Sequence, residues 1–340
     1  MNNRLFSIIL PVRNGGEYVK ACVKSILAQS YPHFNLLVLD NCSTDGTGAW
    51  LQSLKDERIQ LFPSDRSLSI QENWARIVAL PKHEFMTCIG HDDILLPDYL
   101  TTMNALINQY PAATLYQTHF NFIDARGEVL RACKPMDAWQ TATAFLSSIL
   151  TMTIDVNGTG FMTRSSDYDA VGGIPSFPNL IFADFALWLN LTRRGGKATS
   201  EKSCFQYRLH QSMTTRTAAP EFAGAFSVFM DYLATLAEQD KELQRVINAH
   251  IIALLSFYCR SFSHKLLRTP LKDRANITVK DWTNRCKEWA DRFAKEQRFD
   301  PSRVPGVSIA KAIDSTAISR QLFLVFKKLY SRPVWNDHAR

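Results

Sequence analysis

The chain lacks any cysteine motif. Its seven cysteines, at positions 22, 42, 88, 133, 204, 259 and 286, are odd in number and lie far apart. That excludes a Cys-x-x-Cys zinc or redox site and argues against a disulfide framework, so reduced thiols in a cytosolic protein are expected. Glycine and proline are sparse, 14 of each in 340 residues, which excludes collagen-like and low-complexity chains. There is no internal repeat and no run of like charge. No window reaches the roughly 18 apolar residues that span a bilayer. The longest apolar stretch, residues 247–258, contains Asn248 and His250 and reads as a buried helix, so a soluble or peripheral protein is expected. The N-terminal run at 5–12 is too short for a signal sequence and leads straight into Arg13-Asn14-Gly15-Gly16. An excess of 39 Lys and Arg over 32 Asp and Glu, net +7, suits anionic ligands or an anionic membrane surface. The basic residues are scattered and do not alternate with aromatics, so no nucleic-acid partner is expected.

What is present is a globular composition, 46% hydrophobic and 21% charged, at a length that suggests about two domains. Residues 5–12 are rich in Ile, Leu and Val, as in a strand buried on both faces of a parallel sheet. Asn14-Gly15-Gly16 breaks the run. Residues 17–29 then set Tyr18, Val19, Cys22, Val23, Ile26 and Leu27 on one helical face. Residues 35–40 repeat the buried strand, and Ser43-Thr44-Asp45-Gly46 leads into a helix over 47–54. Strands at 59–62 and 85–89 and a helix at 70–80 continue the alternation. A helix near 97–109, a strand near 114–123 and a less regular stretch follow. Helices are expected at 222–237, 241–262, 279–294 and 309–330. The fold class is α/β, a Rossmann-like, mostly parallel sheet flanked by helices with a helical C-terminal extension. A boundary at Thr217-Ala218-Ala219-Pro220 gives domains 1–217 and 218–340.

Sheets of this kind bind ligands at the carboxyl ends of their strands. Asp40-Asn41-Cys42-Ser43-Thr44-Asp45 and His91-Asp92-Asp93 fall at those ends. Any one of these acids would serve equally as a helix cap. Two adjacent acids in one crevice repel each other unless a cation joins them, and Mg²⁺ or Mn²⁺ prefers carboxylates together with substrate phosphates. A metal-nucleotide site is the natural reading.

Three segments, Ser7-Ile8-Ile9-Leu10-Pro11-Val12-Arg13-Asn14, Ser25-Ile26-Leu27-Ala28-Gln29-Ser30-Tyr31 and Asp40-Asn41-Cys42-Ser43-Thr44-Asp45-Gly46-Thr47, strongly resemble in order and spacing the opening of the family 2 glycosyltransferases of the GT-A fold. Asn73-Trp74, Gly90-His91-Asp92-Asp93, Ala183-Asp184-Phe185-Ala186-Leu187-Trp188 and Tyr207-Arg208-Leu209-His210 extend the resemblance over roughly residues 4–215. It implies that Pro11, Val12 and Asn14 line a nucleotide pocket, that Asp40 bonds the base, and that Ser43 and Asp45 hold the pocket loop. Asn73 is a further pocket candidate, or else a polar residue on the exposed side of a helix. Asp92 would bind a divalent cation, Mn²⁺ or Mg²⁺, that bridges two phosphates, with Asp93 as ligand or support. His210 would reach the diphosphate or metal, or be structural. Asp184 would be the general base of an inverting transfer, or the cap of the helix that follows it. Gly158-Thr159-Gly160 resembles an acceptor-side segment and could equally be a plain turn. Trp188 would sit under a sugar or, more simply, in the core.

Two positions depart from the family pattern: Gly90 and His91 stand where another Asp is frequent, and Ala183 replaces a common Glu. The resemblance implies a cytoplasmic enzyme that moves a sugar from a nucleoside-diphosphate sugar to a saccharide or lipid-linked acceptor in bacterial surface polysaccharide biosynthesis. A sugar nucleotidyltransferase is the enzymatic alternative, although the first turn lacks a glycine-rich, Arg/Lys-bearing loop for a triphosphate. The other alternative is a degenerate transferase domain that binds glycans or serves as a scaffold. Near the C-terminus Leu322, Phe323, Val325, Phe326, Leu329 and Tyr330, beside Lys327, Lys328 and Arg332, would pack on the rest of the chain or make a peripheral contact with an anionic membrane.

Overall fold

The computed structural model describes residues 4–209 and 217–330. The chain forms two compact units, one from Met1–Phe145 with Ile154–His210 and the other from Leu146–Thr153 with Gln211–Arg340. This partition and the sequence boundary after residue 217 differ at 146–153 and 211–217.

The first unit is built on β1 (Phe6–Val12), every residue of which is buried. Chain then runs through α1 (Gly16–Leu27), β2 (Phe34–Asp40), α2 (Thr47–Ser53), β3 (Ile59–Leu61), α3 (Ile70–Ala75) and β4 (Phe85–Cys88). β2 and β4 flank β1 and β3 lies outside β2, all parallel, with Val12 opposite Asp40. α1 buries Val19, Cys22, Val23 and Ile26, the face its spacing predicts. α3 starts at a capping box, in which the Ser69 hydroxyl accepts from Glu72 N and Glu72 accepts from Ser69 N. It stops at Ala75 and tightens into a 3₁₀ turn, Arg76–Ala79, where a single helix over 70–80 was expected.

Beyond β4 come β5 (Ile94–Leu95), α4 (Tyr99–Gln109), β6 (Leu115–Ile123), β7 (Val129–Ala132), β8 (Trp139–Gln140), α5 (Ala142–Leu150), β9 (Phe161–Arg164), α6 (Ser165–Ala170), α7 (Ala183–Gly195) and β10 (Lys197–Arg208). The sheet order is β3-β2-β1-β4-β9-β6-β10-β5, with β7 on β6 and β8 on β10. β6 and β10 are parallel, whereas β5, β7, β8 and β9 pair antiparallel. The sheet is therefore parallel through its first four strands and mixed beyond them. Trp188 is fully buried between Phe145 and Phe161, at ring distances of 6.2 and 5.8 Å, so it is a core residue.

The second unit contains α8 (Ala219–Gln239), α9 (Lys241–Arg268), α10 (Val279–Phe293), α11 (Val307–Asp314) and α12 (Ala317–Tyr330). Asp240 caps α9 by accepting from Glu242 N and Leu243 N. α9 is long and apolar enough by length and composition to cross a membrane. Ten of its residues are buried, Ile247, Ile251, Leu254 and Leu255 among them, and Trp282 of α10 meets its Phe262 edge-to-face at 4.5 Å. The helix expected over 309–330 is broken. Thr316 Oγ1 accepts from Ser319 N and so caps a new helix in place of continuing the old one. On α12, Ile318, Leu322, Val325, Phe326 and Leu329 are exposed.

Candidate active site

The carboxyl ends of β1 and β2 carry the first cluster. Gly15 lets the chain turn tightly into α1, because a Cβ there would lie 2.6 Å from Val19 Cβ. Asn14, in the left-handed region with φ of 52°, accepts at Oδ1 from Thr44 N (2.8 Å) and donates its own N–H to Ser43 Oγ (2.9 Å). Asp45 accepts from Gly16 N and Thr47 N, both at 3.0 Å. Hydrogen bonds from Thr47, then Gly16, hold its carboxyl below the ordinary range. Asn14, Ser43 and Asp45 thus sew the β1 and β2 turns together. Ser43 Oγ also donates to Asp40 Oδ1 at 2.5 Å, and no described donor reaches Asp40 Oδ2. Pro11 and Val12 are buried and form the wall behind this turn.

Asn73 is buried, 3% exposed, which overturns its placement on an exposed helix face. Its Nδ2 donates to Leu39 O at 3.4 Å and its Oδ1 accepts from Arg76 Nη1 at 2.9 Å. The packing reason is the short α3, whose last turn brings Arg76 against the backbone at Phe62 (2.7 Å). Arg76 is a site neighbour that sequence reading missed, and its spacing of three from Asn73 was the available signal.

The second cluster follows β4. Asp92 is half-buried and Asp93 only 2% exposed. Asp93 accepts at Oδ1 from Arg208 N (2.9 Å) and at Oδ2 from Thr159 Oγ1 (2.8 Å). Burial, then the neighbouring Asp92, push its carboxyl well above the ordinary range, against those two donors. Arg208 Nε donates to Asp92 O (2.7 Å) and Nη1 to Asp124 O (2.8 Å), while its guanidinium lies 4.9 Å from the Tyr18 ring. Arg208 therefore fixes the acidic turn from below. A Cβ at Gly90 would lie 2.8 Å from both Asp92 Oδ1 and Asp93 Oδ2. The two carboxylates converge on that space, so a side chain at this position would have to displace their ends.

Among the described residues no group of three or more His, Cys, Asp and Glu side chains gathers at one point. His210 lies outside the described residues. Two converging carboxylates over a glycine suit a hard divalent cation that takes its other ligands from substrate oxygens. Asp93 spends an oxygen on each of two protein donors, Arg208 N and Thr159 Oγ1.

Asp184 is the second residue of α7, which starts at Ala183 after Phe182, held at φ of 66°, and its side chain is not the helix cap. Phe185 N donates to its Oδ1 at 2.9 Å. Burial pushes its carboxyl up to about 6, opposed only by the backbone amides of Phe185 and Asp184. A Cβ at Gly158 would be 3.9 Å from Asp184 Cβ, so the 154–160 segment reaches Asp184 through Gly158 and Asp93 through Thr159. Tyr207 ties the clusters together: burial raises its hydroxyl, and the charges of Asp93, Asp92 and Asp184 raise it further. Ala183, where the family pattern commonly has Glu, is fully buried. Thr159 meets Asp93 across 66 residues of chain and Arg208 meets Asp92 across 116, so the family-like segments that contain Thr159, Tyr207 and Arg208 gave no local sign of these contacts.

Residues 7–165 match the family described as glycosyl transferase family 2. TuaG of Bacillus subtilis, a glycosyltransferase assigned to teichuronic acid biosynthesis, is 29% identical over 217 residues, 60% of this chain and 79% of that protein. WfgD of Escherichia coli, named as a UDP-Glc:alpha-D-GlcNAc-diphosphoundecaprenol beta-1,3-glucosyltransferase, is 23% identical over 235 residues, 68% of this chain and 88% of that protein. Among solved structures, S. aureus TarS 1-349 in complex with UDP-GlcNAc superposes with a TM-score of 0.63 at 14% identity, over 96% of this chain and 92% of that one. The fold class is that of GT-A glycosyltransferases, and the segment that carries both acidic clusters, residues 7–165, is a glycosyltransferase family 2 domain.

Proposed function

We propose that the protein is an inverting glycosyltransferase that moves a sugar from a nucleoside-diphosphate sugar to a saccharide or lipid-linked acceptor during bacterial surface polysaccharide assembly, on the cytoplasmic side. The observation that carries this is Asp184, a half-buried carboxylate raised to about 6 that shares the charge field of Tyr207 with the acidic turn. Near neutral pH it is ionised and basic enough to take a proton from an acceptor hydroxyl as that oxygen attacks the anomeric carbon. Asp40, with Oδ2 reached by no described donor, would accept from an N–H of the nucleotide base. The Asn14–Ser43–Asp45 stitching holds that pocket rigid. Asp92, backed by Asp93, would hold a divalent cation, which when bound neutralises the diphosphate. Arg208 keeps Asp92 and Asp93 oriented.

The names of WfgD and TarS motivate UDP-sugars as first donors to try. Against the degenerate-domain reading, Asp92 and Asp184 are both retained. The exposed apolar face of α12 with Lys328 exposed beside it keeps a peripheral membrane contact within the proposal. A thermal-shift panel of UDP, GDP, CDP, dTDP and ADP with Mn²⁺, Mg²⁺ or chelator tests the site, because a ligand that binds only the native state raises its stability. A shift for one nucleotide that chelator abolishes is expected. No shift with any of them would return the degenerate domain to first place.

A further inference from the structure

We propose that Asn157 is a specificity-determining residue whose side-chain amide bonds two hydroxyls of the transferred sugar, an inference that rests on the donor class proposed above. Asn157 is 6% exposed, and neither its Oδ1 nor its Nδ2 meets a hydrogen-bond partner among the described residues. Buried side-chain amides are otherwise paired, so a two-ended orphan marks a place where a partner is supplied from outside the protein fabric. Its position says which partner. The next residue, Gly158, is the point of its segment that faces Asp184, and the one after, Thr159, grips Asp93. On the other side Asp155 is held by Arg131 Nη1 at 2.9 Å and by Lys134 N at 2.9 Å. The segment is thus pinned at 155 and 159, and Asn157 lies between the pins, within two residues of the contacts to the diphosphate-side acid and to the base. Between those two acids the transferred sugar must pass. A carboxamide presents one acceptor and one donor side by side, which matches a pair of neighbouring sugar hydroxyls and does not match a diphosphate, which offers acceptors alone. Because the amide is enclosed, residues 156–158 shift as the sugar enters.

Calorimetric titration of the full chain with UDP and UDP-glucose, and in parallel GDP and GDP-mannose, tests this in wild type, Asn157→Ala and Asn157→Asp. The expected result is that wild type binds one sugar ester more tightly than its bare diphosphate. Asn157→Ala should lose that ester roughly tenfold, as for a removed hydrogen-bonding pair, while keeping the bare diphosphate within about twofold and without a lower melting temperature. Asn157→Asp, which retains the acceptor alone, should fall between. Unchanged ester affinity in Asn157→Ala would overturn the inference and leave the transferase reading intact, as would an equal loss of ester and bare diphosphate with a lowered melting temperature. Equal affinity of wild type for ester and diphosphate would do the same. A wild-type chain that binds none of the four ligands would overturn both.

Discussion

Asp184 differs from Asp45 and Asp93 in how little holds it among the described residues. Asp45 is clasped by Thr47 and Gly16 and Asp93 by Arg208 and Thr159, whereas Asp184 receives backbone amides only. A carboxylate so sparsely bonded is free to exchange its proton, and with its carboxyl raised to about 6 the sign of its pH dependence is fixed. As the proposed base it is competent above that value and lost as pH falls through it. Transfer measured as kcat/KM should rise about tenfold per pH unit below 6 and level off above it, and a profile flat from pH 5 to 8 would count against this carboxylate. Gly90 gives a second residue-scale expectation. Gly90→Asp adds an acid where relatives of the family frequently carry one, yet its Cβ must occupy space within 2.8 Å of Asp92 and Asp93. It should raise the Mn²⁺ concentration for half-activation by at least about tenfold, measured by metal titration of transfer, and an unchanged or lower value would show that the turn yields. Asp40, Asp45, Asp92 and Asp184 were visible in the sequence because each ends a strand or opens a helix. Thr159, Tyr207 and Arg208 were legible only as members of family-like segments, without these contacts, and Asn157 not at all, because what they face is brought from distant parts of the chain.

At the scale of elements, the strongly periodic segments were legible: β1, α1, β2 and α9 lie where apolar spacing sets them. β7 and β8 were not, since β7 is exposed throughout and β8 has two residues, leaving no burial pattern to read. The break between α11 and α12 escaped for another reason, a local hydroxyl cap inside an otherwise helical stretch. That break also positions Asp314, the last residue of α11. Its carboxylate accepts from Arg274 Nη2 and from Val279 N (2.7 Å), with both charged side chains about fully buried. The pair joins α11 to the start of α10 through the turn at Leu271–Arg274. Arg274→Met leaves a buried carboxylate without its countercharge and should cost about 3–5 kcal/mol in urea unfolding. Adding Asp314→Leu should recover only part of it, because Val279 N then loses its acceptor. A single variant within about 0.5 kcal/mol of wild type would mean that the pair is dispensable.

Across the whole molecule, stability should carry the mark of Lys197. It is fully buried on β10, with Nζ donating to Thr199 Oγ1 (2.8 Å) and Gln140 Oε1 (3.1 Å). Burial pushes its ammonium down to about 7, with Asp137 and Cys133 opposing. The unfolded chain holds this proton up to the ordinary lysine value, so the cost of burying the charge is full below pH 7 and declines from 7 towards 10.5. Lys197→Met should therefore be more stable than wild type at pH 6 by several kcal/mol, and the gain should shrink as pH rises to 10. A gain independent of pH would assign it to packing alone. The proposed function rests on one carboxylate acting on an acceptor while separate clusters hold the nucleotide. The measurement that tests this most directly is transfer of labelled sugar by Asp184→Asn, made alongside its affinity for the nucleoside diphosphate. The expected result is transfer reduced by at least about a thousandfold with affinity kept within about twofold. Near-normal transfer by this variant would contradict the account.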